Sequence, residues 1–452
     1  GDGDLVTAAI WDPRSGQPTS VTAPNGATTT FTFDGLGRLT VEILPGDTQD
    51  LPTRRHTYHF APGARPTVVT ELRRTSGETA VERIVQHLDG LGRPLARVTH
   101  DDTGEAAILA DANIYSAAGA IAEKVEGQPL PASALDPGAD VILAPSWPRT
   151  RSERDALSRV TFERDPDSRE AQTTHGPLWT ETRGHEDLHP APPYTDAPER
   201  TVVDGLGRLV RVEQTLAGRS ILHQYTHDAA GRLIAHTDPA GHISRYTCDG
   251  AGRLIEVDSP DAGQITQRFD LVGRILERRS ATGARITWSY DAAGRLREQA
   301  GFDPAGTRVS NARLLYDHAE DTAAEFERGQ LTAVDDDAGR ATFTHDARGR
   351  VVQMTRRFSG QDETQTLSTR TEYDAQDRVV RELYPDGSPL DRQYTARGLE
   401  APLAGWMSDA TWDARGRWTG VALADGLSLT RKLDHAGRLQ AQQVRRGDAT
   451  LL

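Results

Sequence analysis

The sequence predicts an all-β chain, a strip of antiparallel β-hairpins laid edge to edge. Three observations predict it. The phrase Asp-x-x-Gly-Arg recurs through the chain, its copies from Asp228 to Asp291 stand 21 residues apart, and a second turn signature falls midway between copies. Between turns, stretches such as "RLIAHTD" after Gly231 and "HISRYTCD" before Asp249 alternate in character with the period of two that a two-faced strand requires. Thr, Val, Ile, Tyr and Arg dominate them, as strand positions prefer.

The phrase opens at Asp34 (with Gly37 and Arg38), Asp89 (Gly92, Arg93) and Asp204 (Gly207, Arg208). It returns at Asp228 (Gly231, Arg232), Asp249 (Gly252, Arg253), Asp270 (Gly273, Arg274) and Asp291 (Gly294, Arg295). The last copies are Asp346 (Gly349, Arg350), Asp413 (Gly416, Arg417) and Asp434 (Gly437, Arg438). Each position has a mechanical reason. Asp caps the turn by accepting backbone N–H bonds from residues just ahead of it. Gly supplies the positive φ that lets the chain reverse. Arg is free to lie on a ring or to pair with a carboxylate. The residue before the Asp is often aromatic (Phe33, Phe269, Tyr290, Tyr373, Trp412), so stacked copies predict an aromatic ladder along the strip. Cys248 takes that place once, read as a small buried hydrophobe.

In chain order, residues 1–125 carry irregular units, with "YSAAGAI" from Tyr115 as a degraded turn. Across 126–200 the beat is lost. "QPLPASALDPGADVILAPSWP" and "HPAPPYTDAPE" are rich in Pro and Ala, which disfavours continuous pairing, so this stretch reads as a non-repetitive excursion holding at most a worn turn in "RDALSRV". From 201 to 452 the repeats are regular, with worn copies in "YDAQDRV" at Asp374 and "YTARGLE" at Tyr394. The mid-unit turns read "DPAG" at Asp238, "PDAG" at Pro260, "ATG" at Ala281, "DPAG" at Asp303 and "PDG" at Pro385, and "DDAGR" at Asp336 belongs with them. "AEDTAAEFERG" from Ala319 is the one stretch that suggests a helical turn.

Bulk properties narrow the function. Hydrophobic residues make up 36% of the 452, thin for one large core, while Gly 42 and Pro 25 mark a chain that turns often. The formal net charge of −14 repels nucleic acid and anionic lipid, so neither is expected as a partner. A single cysteine excludes an internal disulfide framework. No apolar stretch has the length of a membrane span. A first residue of Gly rather than Met suggests a piece of something longer.

A Tyr-Asp-x-x-Gly-Arg phrase in units of this length resembles the RHS/YD-repeat family, which includes bacterial Rhs polymorphic toxins, Tc toxin B and C subunits, and teneurins. "RTVVDGLGRLVRVE", "SPDAGQ" and "YPDGSP" are most similar to the shell-forming stretch of Tc toxin B-like proteins. The resemblance implies a spiralling strip of hairpins forming a hollow shell or part of one. It implies secretion and a cocoon that holds a toxic polypeptide apart until delivery. The implied partners are the remainder of the shell, in the same chain or a C-type subunit, and the enclosed toxin. A teneurin-type adhesion or carbohydrate-binding surface is the alternative. The family's aspartyl self-cleavage segment, D-P-x-G-L or D-P-x-G-W, is not matched, because Asp238 and Asp303 lead to His242 and Thr307 on the repeat beat.

No enzymatic role, cofactor or metal is therefore expected. "HEDLH" from His185 matches a zinc-protease pattern, but Gly184 before it and Pro190, Pro192 and Pro193 after it preclude a sustained helix. The Asp-rich turns lack calcium-loop spacing, and "DDD" at Asp335 reads as a solvated acidic turn. The scattered His residues, such as His223 and His227, read as polar strand positions.

Overall fold

The computed structural model describes residues 5–188, 197–216, 219–317, 325–359, 364–447 and 449–451. Strands from Ala8–Asp12 to Pro389–Asp391 form one 31-stranded antiparallel sheet, which does not close on itself. Each strand pairs with the one before and the one after it in sequence, as Leu233–Thr237 does with Arg219–His227 and with Ile243–Cys248. The topology is thus a pure meander, the arrangement that repeated short turns dictate.

The turns set its form. At Asp228 the backbone N–H donates to the Arg232 carbonyl (2.9 Å), and the Gly231 N–H donates back to the Asp228 carbonyl (3.0 Å). Gly231 has φ +85°, and the register shifts between Thr226 and His227. This is the type I turn closed by a left-handed residue and a bulge, one of the standard hairpin connections. The same shift precedes the Asp at Phe33, Cys248, Phe269, Tyr290 and Tyr373. A bulge bends its strand and adds twist, so one at every other turn bends the whole ribbon in a constant sense.

The structure corrects the sequence reading in two places. Pairing does not lapse across 126–200: Arg149–Arg154, Val160–Arg164, Glu170–His175 and Trp179–Arg183 continue the sheet without a break. The turns there survive because Ser158 (φ 63°) and Ser168 (φ 65°) adopt the left-handed conformation usually given to Gly. Among the described residues of this stretch, 131–148 and the helical turn His185–Leu188 lie outside the sheet. The second departure lies at the other end. The ribbon is interrupted after Asp391, where only an isolated bridge joins Tyr394 and Glu400, and Met407–Trp412 to Ala449–Thr450 form a separate five-stranded sheet.

Among the described residues, 131–148 build the substantial core. A short 3₁₀ turn, Ala132–Leu135, follows Pro131, and the segment folds back over strands Thr67–Arg73 to Ile121–Leu130. Ala134, Leu135 and Val141 close over Val69, Val85, Val98, Leu109 and Val125, with Leu143 and Trp147 at the margin. Each fully buried Val or Leu contributes roughly 1.5–3 kcal/mol. Elsewhere, the buried apolar side chains among the described residues are small ones such as Ala300, Ala333 and Ala341. A ribbon one sheet thick cannot rest on such a core. It needs another source of cohesion.

Candidate functional site

That cohesion comes from the repeat itself. In every Asp-x-x-Gly-Arg copy the Gly has φ between +76° and +97°. The Asp carboxylate accepts the backbone N–H of the Arg, and its second oxygen takes the Arg Nε at 2.6–2.7 Å. At most copies it also accepts the N–H two residues on, as Leu36 gives to Asp34. One carboxylate thus closes the turn and fixes the direction of the Arg. The interaction lowers the Asp204 pKa to about 2, with the Arg208 side-chain hydrogen bond as the leading cause. The worn copy at Asp374 keeps the bonds although Asp377 (φ 62°) replaces Gly, and at Thr395 the Oγ1 hydroxyl takes the carboxylate's place.

The fixed Arg reaches the next copy. Arg274 lies 4.7 Å over the ring of Tyr290, and that ring's hydroxyl donates back to the carbonyl of Ile275 at 2.9 Å. The same reciprocal clasp joins Arg295 to Tyr316, Arg350 to Tyr373 and Arg378 to Tyr394. Where the ring is absent, the Arg caps the carbonyl of the following Asp: Arg208 bonds Asp228 and Arg232 bonds Asp249. The expected ring-on-ring ladder is therefore an alternation of guanidinium and ring. A cation over an aromatic face is worth about 0.5–1 kcal/mol at such sites, and the hydroxyl bond adds about 1 kcal/mol. Cys248, in the aromatic place, is only half-buried.

A second set of contacts joins turns that are far apart in sequence. Arg348, with its side chain 6% exposed, donates to the Pro45 carbonyl (2.9 Å), the Asp47 carboxylate (3.0 Å) and the Ala375 carbonyl (2.7 Å). The Ala375 N–H bonds the Arg74 carbonyl, and the Ala396 N–H bonds that of Asp102. Arg397 pairs with the Asp102 carboxylate at 2.7 Å, and Arg415 pairs with Glu126. Arg438 meets Asp165 and Asp167, while the His435 and Ala436 N–H groups also bond Asp167. Turns of the repeat phrase in the later part of the chain thus sit on mid-unit turns and adjoining strand ends of the earlier part. The ribbon winds past itself, and these contacts are the seam.

The seam sets the dimensions. Twenty-five strands separate the turn holding Asn25 from the turn holding Ala347, which are hydrogen-bonded to each other. At about 4.8 Å per strand the winding is roughly 120 Å around, at most about 38 Å across between backbones. Removing half a sheet-packing distance from each wall leaves a lumen of about 28 Å. For adjacent windings to touch, the climb per turn must equal one hairpin, about 20 Å for a six-residue strand.

Other residues raised by the sequence have structural partners. His185–Leu188 is a single helical turn in which Asp187 accepts the Gly184 and Ala197 N–H groups, and His189 lies outside the described residues. In "DDD", Asp335 pairs with Arg340, Asp336 with Arg356, and Asp337 accepts the Asn311 N–H. His223 and His236 share a 3.0 Å hydrogen bond across neighbouring strands. The stretch from Ala319 falls largely outside the described residues. No group of three or more possible metal ligands occurs among the described residues. The seam residues Arg348, Arg397 and Arg415 escaped sequence reasoning because it weighed only the first, fourth and fifth places of the phrase. Their signal was present, since "DARGR" at Asp346 and Asp413 replaces "DGLGR" at Asp34, Asp89 and Asp204.

Five stretches match the RHS repeat: residues 11–49, 203–242, 227–264, 269–309 and 327–361. No curated protein matches the chain. Among solved structures, the TcdB2-TccC3 complex aligns with a TM-score of 0.83 at 17% identity, over 99% of this chain and 27% of that one. A Photorhabdus luminescens Tc holotoxin pore gives 0.82 at 16% identity, over 98% and 28%. At such identities the likeness is one of fold, and the chain spans little more than a quarter of the length of those it matches. The chain thus carries matches to the RHS repeat over part of its length and shares the fold of those structures, a wound strip of β-hairpins.

Proposed function

We propose that this ribbon is wall from the encapsulating shell of an Rhs/Tc-type toxin, sequestering a toxic polypeptide until delivery. The observation that carries the reading is the seam. Hydrogen bonds and ion pairs continue from one winding to the next, a continuity that would hinder a protease from reaching a chain inside. The lumen width agrees: a folded 100-residue domain, with a radius of gyration of about 13 Å, is roughly 34 Å across, so a lumen of about 28 Å favours an unfolded occupant. The role is mechanical rather than enzymatic. The partners are the remainder of the shell and the enclosed toxin, and the setting is an extracellular toxin complex.

The test uses the full-length polypeptide with its cargo. Deleting the repeats from Thr201 onward, or opening the seam with Arg348→Ala and Arg397→Ala, should make the cargo accessible to added protease while the remaining hairpins stay folded. Cargo that stayed equally protected in both variants would refute confinement by this wall.

A further inference from the structure

The chain holds three asparagines, Asn25, Asn113 and Asn311, and of these Asn25 alone is followed by glycine. It stands at the seam. Asn25 takes the third place of a type I turn, in which the Gly26 N–H donates to the Ala23 carbonyl (2.9 Å) and the Ala23 N–H to the Ala27 carbonyl (2.8 Å). Gly26 is exposed, with φ +83° and open space where a Cβ would stand. The Asn25 amide is engaged at both atoms. Oδ1 accepts the Ala27 N–H at 3.1 Å, and Nδ2 donates across the seam to the Ala347 carbonyl at 3.2 Å. A cavity of about 310 Å³, roomy enough for water, adjoins it and is lined also by Pro45, Arg348 and Asp377.

We propose that Asn25 is a deamidation site gated by the seam: unreactive while the windings are sealed, it converts to aspartate or isoaspartate wherever they stand open. The chemistry needs only the chain and water. The Gly26 backbone nitrogen gives its proton to hydroxide and attacks Asn25 Cγ. The new N–Cγ bond forms, the Cγ–Nδ2 bond breaks, and Nδ2 leaves as ammonia after taking a proton from water. The succinimide so formed adds water at either carbonyl and opens to aspartate or isoaspartate at position 25. Glycine favours the attack because it carries no Cβ to obstruct ring closure.

The sealed state opposes each step. The Gly26 N–H is committed to the Ala23 carbonyl, the Asn25 amide is tied to Ala347, and the turn fixes the backbone between them. The bond to Ala347 exists only where the second winding sits on the first, so it is the part of the restraint that sealing supplies. Asn113 and Asn311 lie inside strands Ala107–Tyr115 and Arg308–Tyr316, followed by Ile114 and Ala312, and serve as internal references. Reaction at Asn25 also damages the seam. The product carboxylate faces the Ala347 carbonyl where a donor stood, leaving two acceptors opposed. Arg348 does not relieve this, since it already serves Pro45, Asp47, Ala375 and Asp377. A winding left unsealed thus loses its capacity to seal, whatever the ribbon encloses.

The experiment follows peptide mass in chain held at mildly alkaline pH in water enriched in oxygen-18, so that each new event leaves a heavy oxygen at position 25. The native chain should react at Asn25 at least about tenfold more slowly than chain unfolded in guanidinium, because reaction waits on local opening. Arg348→Ala should react at least about tenfold faster than the native chain, with an unchanged circular-dichroism spectrum and with Asn113 and Asn311 intact. In guanidinium, Gly26→Ala should slow the reaction, which marks the Gly26 nitrogen as the attacking group. Asn25→Asp should hasten amide exchange at 346–350. A native rate within about threefold of the unfolded one overturns the gate, and this comparison needs no variant. So does an Arg348→Ala chain that keeps the native rate while its exchange at 346–350 accelerates. Unchanged exchange at 346–350 in Asn25→Asp overturns the damage to the seam.

Discussion

Replacing Arg348 with Ala should open the seam between windings while leaving the hairpins on either side intact. The substitution strands the Asp47 carboxylate, whose side chain is fully buried and whose remaining partner is the Thr53 hydroxyl at 2.5 Å. Removing one member of a buried ion pair costs about 3–5 kcal/mol, because the other charge stays desolvated and unpaired. The Pro45 and Ala375 carbonyls lose a donor as well. Stability in a repeat ribbon is local, so the loss should appear as opening of the docked turns rather than as a lower global transition. At tenfold per 1.4 kcal/mol, amide exchange at 44–53 and 346–350 should accelerate at least 100-fold. Exchange in strands Ile243–Cys248 and Leu254–Ser259, far from the seam, should not change. Adding Asp47→Leu should recover much of the loss, since an apolar replacement removes the orphaned charge. Acceleration below threefold at 44–53 would refute the view that Arg348 holds the windings together.

Four further outcomes follow from the same geometry. Gly252→Ala places a side chain at φ +84° with only an ordinary contact, Arg232 Cδ at 4.0 Å, beside it, so backbone strain of about 1–3 kcal/mol should lower the urea midpoint. A double-mutant cycle of Arg274→Ala and Tyr290→Leu should give a coupling of about 0.5–1 kcal/mol, and strict additivity would deny the contact between guanidinium and ring. Burial pushes the His87 pKa below the ordinary imidazole value, with Arg65 acting the same way and the Ala134 backbone and Asp140 against it. Its contribution is complete above pH 6.5 and is lost as pH falls, so proteolysis within 131–148 should increase from pH 7.5 to 5, and His87→Leu should flatten that response. The Asp204 pKa of about 2 lies below its ordinary 3.8, so the 204–208 turn keeps its stability above pH 4 and loses it between about 4 and 2, measurable as local amide exchange.

The local fold was legible because one residue type has one reason at each place of the phrase. Asp34, Gly37 and Arg38 carry their roles in their own chemistry, since capping, positive φ and a free cation require nothing beyond the phrase itself. Stretches 149–183 were misread because Ser158 and Ser168 reach the left-handed region, which sequence patterns reserve for Gly and Asn. The seam stayed hidden for a different reason. Asp47 and Arg348 are 301 residues apart, and their meeting depends on a curvature summed over many bulges, which no local pattern encodes. The core under 131–148 was concealed by its own Pro and Ala content, which signals the end of pairing and is silent on what the segment then covers.

The pure meander has a consequence for biosynthesis. Each hairpin can pair as soon as it leaves the ribosome, because its partner strand has just been made. The seam cannot, since the turn at Asn25 must wait for Ala347, 322 residues later. At 5–20 residues per second the first winding stands unsealed for roughly 15–65 s. Assembly therefore runs in a fixed order, pairing first and sealing last, and the ribbon stays unsealed while its later parts are still being translated.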